Sequence, residues 1–143
     1  MKRALLAVAL ALLFAACSGG GSPSGPTATP AVVPEDGAIT ITASEWQFAP
    51  ASIAAQQGQE VRIQFQNDGR ILHDLTIADL DADVIESISS GPLSAGEGEL
   101  FVGAEAGDRG TLVFVPRQAG TFTYYCSLDG HRALGMEGTL TVR

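Results

Sequence analysis

The sequence is poor in positive charge. Its 143 residues include 16 acidic and 8 basic side chains, and the formal net charge is −8. Lys2 is the only lysine, and it lies with Arg3 at the start of the chain. An acidic surface repels nucleic acid and anionic lipid headgroups and attracts basic proteins. The charge therefore argues against a nucleic-acid partner and favours a basic protein partner, although solubility alone would also explain it.

Cysteine, histidine and methionine are also scarce, with two of each in the chain. Two cysteines cannot build a disulfide framework, so the fold must depend on its hydrophobic core. Met1 is the initiator, and Cys17 belongs to the N-terminal segment discussed next. The sulfur and imidazole groups that could bind a metal in the folded part of the chain are therefore those of His73, Cys126, His131 and Met136.

No hydrophobic run is long enough to cross a bilayer comfortably. The longest one, Ala4 to Ala16, follows two basic residues and is typical of a secretory signal peptide over residues 1–16. It ends in Leu-Phe-Ala-Ala-Cys, which resembles a bacterial lipobox and implies lipidation of Cys17. Two alternatives remain open: an ordinary signal peptide with a free Cys17, or a disulfide between Cys17 and Cys126. We expect an exported protein, lipid-anchored at the cell membrane on its periplasmic or outer face.

The next segment is rich in glycine, serine, threonine and proline. Residues 17–37 contain few large apolar side chains, so we predict a lipidated cysteine followed by a flexible linker. Such a linker would hold the folded domain, predicted over residues 38–143, near a membrane and leave it free to reach partners.

Short alternating segments separated by turn residues predict an all-β fold for residues 38–143. Glu60 to Gln66 alternates cleanly, with Val61, Ile63 and Phe65 expected inward. Seven or eight such strands suggest a Greek-key β-sandwich. Ala78 to Gly98 is the least readable segment, and we predict one or two helical turns at Val84 to Ile88 within a surface excursion. The aromatic residues expected in the core are Trp46, Phe48, Phe65, Phe114 and Phe122.

Three of the four candidate ligands lie in one loop between two predicted strands. Cys126, His131 and Met136 follow one another at equal intervals, and Gly130 and Gly135 each precede a ligand. His73 must come from elsewhere, from a strand end after the Asn67-Asp68-Gly69 turn. Methionine is a poor zinc ligand, and iron–sulfur clusters need more cysteines. Two histidines, one cysteine and a weak methionine match a blue-copper electron-transfer site.

These motifs resemble those of the cupredoxins, the family that contains plastocyanins and azurins. The resemblance covers residues 38 to 143 and is carried by the His73 segment, by PRQAGTFTYYC and by the GH…GMEG ending. It implies one type 1 copper ion per chain, with His73, Cys126 and His131 as strong ligands and Met136 as the weak axial ligand. The Cys-to-His interval is similar to that of azurins and the His-to-Met interval to that of plastocyanins, so the subfamily stays open.

One position departs from the family pattern. Asp74 follows the first histidine, where many cupredoxins have asparagine. An ionised carboxylate can only accept hydrogen bonds, and we expect it to accept from the hydroxyl or the amide of Ser127. Its charge near copper would favour Cu(II).

The resemblance implies a one-electron carrier that is not an enzyme. Its partners would be redox proteins such as a c-type cytochrome or a membrane oxidoreductase, and we expect a monomer. An extracytoplasmic copper carrier is the alternative, but it would need exchangeable ligands, and this chain has none to spare. A multicopper enzyme would need additional histidines for a second centre.

Overall fold

The computed structural model describes residues 30–33 and 38–143. The signal peptide predicted over residues 1–16, Cys17 and most of the predicted linker lie outside these residues. Among the described residues, no helix is long and apolar enough to span a membrane.

The described residues form a β-sandwich of two sheets, which confirms the predicted all-β fold. The strands are β1 Ala31–Val32, β2 Ala38–Ser44, β3 Gln47–Ala49, β4 Ser52–Ala55, β5 Val61–Asn67, β6 His73–Ile77, β7 Ala82–Ile88, β8 Leu100–Ala104, β9 Arg109–Pro116, β10 Gly120–Tyr125 and β11 Glu137–Val142. The first sheet has the strand order β1-β4-β11-β10-β6-β8, and the second has the order β3-β2-β5-β9-β7. A 3₁₀ helix, η1, spans Arg132–Leu134 between β10 and β11.

Alternation along the strands puts one face of each sheet into a shared core. β5 shows it most clearly, because Val61, Ile63 and Phe65 are buried as predicted. Across the core, the first sheet contributes Leu75 and Tyr124. Burying each large apolar side chain contributes about 1.5–3 kcal/mol, so the core stabilises the sandwich without disulfides. Cys126 itself is a buried free thiol.

Two segments differ from the sequence-based predictions. Val84 to Ile88 is not helical: it belongs to β7, which pairs with β9 at the edge of the second sheet and has an irregular register between Val84 and Glu86. β1 lies within the predicted linker, yet it pairs with β4, and Val33 is buried with its N–H on the Ala54 carbonyl. Strand pairing among the described residues therefore includes residues before the predicted boundary at residue 38.

Candidate metal centre

The register of the first sheet brings the two ligand segments together. β6 lies between β8 and β10, and Tyr125 at the end of β10 pairs with Thr76 of β6. The next residue, Cys126, therefore comes alongside the start of β6, where the Asp74 N–H lies 3.5 Å from the Cys126 Sγ. Both segments are fixed by strand pairing, so the sulfur and the His73 ring meet at the same end of the sandwich.

The loop between β10 and β11 is closed by its own backbone. The Cys126 N–H donates to the Met136 carbonyl, and the Met136 N–H donates to the His131 carbonyl. Gly130 and Gly135 have φ values of 82° and 103°, which favour glycine and allow the predicted sharp turns. The loop therefore holds the three sequence-predicted residues close together before any metal binds.

Three potential ligand atoms converge at this end of the sandwich. The Cys126 Sγ lies 3.2 Å from the His131 Nδ1 and 4.0 Å from the His73 Nδ1. One atom from each of the three residues lies within 4.8 Å of the others. Ligand bonds of roughly 2.0–2.3 Å to one ion would span such separations. The Met136 side chain is fully buried, and its backbone joins the other two loop residues.

The donor set fits copper. A thiolate and a buried thioether suit Cu(I), and two imidazole nitrogens suit Cu(II) as well. The surroundings are dry, because His73 and Met136 are 0% exposed, Cys126 is 1% exposed and His131 is 8% exposed. Three of the four residues that the sequence singled out for the metal, His73, Cys126 and His131, form this cluster, and the backbone of Met136 is hydrogen-bonded to Cys126 and His131.

Burial sets the protonation of the copper-free site. It raises the pKa of the Cys126 thiol to about 11 and, together with the nearby His131, lowers the pKa of His73. At neutral pH the cysteine therefore carries its proton and His73 is neutral. Because only the thiolate binds metal, copper binding must release the proton of Cys126.

Asp74 links the two ligand segments, as the sequence predicted. One carboxylate oxygen accepts from the Ser127 N–H and the Thr76 hydroxyl, and the other accepts from the Ser127 hydroxyl, all at 2.9 Å. Asp74 is fully buried and lies 3.7 Å from the Cys126 sulfur. In all of these contacts a carboxyl oxygen of Asp74 is the acceptor. The role of Thr76 was not foreseen.

Sequence reasoning missed the contribution of the turn between β2 and β3. Trp46, expected in the core, is only partly buried, and its ring lies edge-on to His131 with centroids 4.6 Å apart. Glu45 precedes it and lies beside His73. The Arg70 N–H donates to the Glu45 carboxylate at 2.6 Å and is the main cause that lowers its pKa. No local signal marks these residues, because their positions depend on strand pairing far along the chain.

Comparison with known proteins agrees with this centre. The cupredoxin-like domain model matches residues 4–142. The chain belongs to the cupredoxin-like family. With the His-Cys-His cluster in this fold, its cofactor is one type 1 copper ion. This confirms the family and the cofactor expected from the sequence.

The cupredoxin has relatives of different lengths. It is 33% identical to the copper-resistant cuproprotein CopI of Rubrivivax gelatinosus over 72% of this chain and 64% of that protein. It is 28% identical to Auracyanin-A of Chloroflexus aurantiacus over 99% of this chain and 97% of that protein, and 28% identical to Auracyanin-B over 66% of this chain. The chain spans 64% of the length of CopI and 46% of that of Auracyanin-B.

Solved structures share the fold. A structure described as auracyanin A, a "blue" copper protein from Chloroflexus aurantiacus, has a TM-score of 0.55 at 20% identity and covers 75% of this chain and 100% of that one. A multicopper oxidase from Campylobacter jejuni has a TM-score of 0.56 at 16% identity and covers 82% of this chain but only 31% of the oxidase. At these identities the likeness concerns the fold.

Proposed function

We propose that this cupredoxin is a one-electron carrier in which His73, Cys126 and His131 hold copper strongly and Met136 holds it weakly. The observation that carries the proposal is the buried cluster of three ligand atoms within 4.8 Å of one another. The bound metal would alternate between Cu(II) and Cu(I). Strand pairing and the loop hydrogen bonds hold both histidines and the sulfur in place. The ligands therefore need to move little when the copper gains or loses an electron.

Electrons would pass through the surface beside His131. It is the most exposed of the four ligands, and η1 next to it carries Leu134, which is 58% exposed. Ala133 is also exposed. We call Ala133 and Leu134 the apolar tip. A redox protein docking there would come within reach of the imidazole edge, and the formal charge of −8 would attract a basic partner such as a c-type cytochrome.

Replacing Leu134 with lysine is expected to slow electron transfer to a basic c-type cytochrome by about tenfold at low salt, because it breaks the apolar tip and repels the partner. Val84→Lys is the matched control. It makes the same charge change at a side chain that is 53% exposed on β7, and should change the rate less than twofold. Stopped-flow mixing of the reduced protein with the oxidised cytochrome measures both, and equal effects would contradict docking at the tip.

A copper carrier remains the second candidate, because one relative is named a copper-resistant cuproprotein. A carrier must release its metal, whereas all four proposed ligands are buried here. Incubation with a weak copper chelator distinguishes the two functions. An electron-transfer protein should keep its copper in the presence of the chelator through many oxidation cycles, whereas a copper carrier should lose it within minutes. We propose that the chain is not an enzyme, since its two histidines are both used at one centre.

We propose that the protein works as a monomer outside the cytoplasm, tethered through lipid on Cys17. The support is the basic and hydrophobic start of the chain and the Leu-Phe-Ala-Ala-Cys sequence. Cys17→Ser is expected to move most of the protein from the membrane fraction to the soluble fraction of bacteria that express it. Membrane retention of this variant, with no lipid mass on the wild-type N-terminal peptide, would contradict the tether.

A further inference from the structure

One nitrogen of His73 lacks a hydrogen-bond partner. The His73 Nδ1 faces Cys126, and the Nε2 is the one buried side-chain nitrogen or oxygen without a partner in the described part of the chain. If copper binds Nδ1, the Nε2 of the neutral ring must carry the proton. A buried N–H without an acceptor costs free energy, so copper binding calls for an acceptor at this position.

A carboxylate lies where that acceptor is needed. The Glu45 Oε1 is 3.6 Å from the His73 Nε2, slightly beyond hydrogen-bond distance. The same oxygen already accepts the Arg70 N–H at 2.6 Å, so its position is fixed from the other side. The Glu45 side chain is 31% exposed while His73 is fully buried, so the carboxylate lies between solvent and the ring.

Gly69 makes this contact possible. A Cβ at Gly69 would lie 2.7 Å from the Glu45 Oε1 and 2.9 Å from the His73 Nε2, closer than real Cβ atoms come to other atoms. Any side chain at position 69 would therefore force the carboxylate and the imidazole apart. The turn between β5 and β6 thus leaves a gap that the Glu45 carboxylate approaches. The Asn67 amide oxygen also borders this gap, but it already accepts the Gly69 N–H.

From this geometry we propose that Glu45 is a positioning residue that accepts the His73 Nε2–H when copper is bound. A shift of a few tenths of an ångström closes the hydrogen bond. The inference rests on the proposed role of His73 as a copper ligand. A histidine ligand whose outer N–H meets a carboxylate is fixed in orientation and becomes a stronger donor to the metal. Glu45 therefore stabilises Cu(II) relative to Cu(I) and lowers the reduction potential.

Glu45→Gln tests the proposal because it keeps the side-chain size and removes the charge. We expect the ratio of Cu(II) to Cu(I) affinity to fall about tenfold, which raises the potential of this one-electron couple by about 59 mV. Asp68→Asn is the matched control, since it removes one exposed carboxylate from the turn that carries Gly69 and should change the ratio less than threefold. Voltammetry of the full-length copper-loaded chains gives the potentials.

A second variant and an NMR measurement test the same contact independently. Gly69→Ala keeps the glutamate at position 45 but pushes its carboxylate away from His73 with a methyl group, and should raise the potential as Glu45→Gln does. In the diamagnetic Cu(I) form, the proton NMR signal of the His73 Nε2–H should move upfield in Glu45→Gln. The proposal is overturned if Glu45→Gln matches Asp68→Asn in potential and leaves that proton unmoved. A wild-type chain without blue absorption would instead refute the proposed copper site.

Discussion

Replacing Cys126 with serine is expected to abolish the intense visible absorption of the copper-loaded protein. That absorption requires a copper–thiolate bond, and the Cys126 sulfur lies within 4.0 Å of both imidazole Nδ1 atoms. A serine hydroxyl stays protonated and cannot replace the soft sulfur. Loss of a residue that only hydrogen-bonds to a ligand lowers metal affinity by up to about a hundredfold. Loss of the ligand itself should therefore lower copper affinity by more than about a hundredfold.

The measurement is a titration of copper-free protein with Cu(II), followed by visible spectroscopy. Both chains should carry Cys17→Ser, so that Cys126 is the single thiol in the parent and none remains in the variant. Met136→Leu provides the contrast: it removes the weak ligand with little change of volume, and should stay coloured. A coloured Cys126→Ser protein would show that the thiolate is not the copper ligand.

The ligands could be predicted from the sequence because their chemistry is rare and partly local. Cys126, His131 and Met136 lie in one glycine-containing loop, and few other residues in the chain can bind a soft metal. The sequence alone does not show that His73 lies near the other ligands. The pairing of β6 with β10 in the fold brings it there. The contact between Asp74 and Ser127 was also predictable, because each directly follows a ligand.

The failures have a physical cause as well. Val84, Ile85 and Ile88 do not alternate with polar residues, and all three are more than half exposed on an edge strand. Without a buried face there is no period of two to indicate a strand, and the spacing looked helical. Glu45 is unpredictable for another reason: its contact with His73 depends on the turn between β2 and β3 approaching the turn between β5 and β6.

Asn67 was predicted only as a turn residue, yet its fully buried side chain organises the segment that carries His73. Its amide nitrogen donates to the carbonyls of Ile71 and Ala104, both at 2.8 Å, and its carboxamide oxygen accepts the Gly69 N–H at 2.9 Å. The Asn67 side chain therefore connects two residues within the turn between β5 and β6, and also connects this turn to the end of β8.

Asn67→Ala is expected to lower the free energy of unfolding by about 3 kcal/mol, because two backbone carbonyls lose their donor and the partly buried Gly69 N–H loses its acceptor. For a domain of this size, the melting temperature of the copper-free protein should fall by more than roughly 10 °C. Copper-free protein is the right material, since bound metal adds its own stabilisation. Asp68→Ala, at the exposed neighbour, should change the melting temperature by no more than a few degrees. Should the two variants melt together, the Asn67 side chain does not hold the turn, and the position of His73 must depend on the pairing of β6 with its neighbours alone.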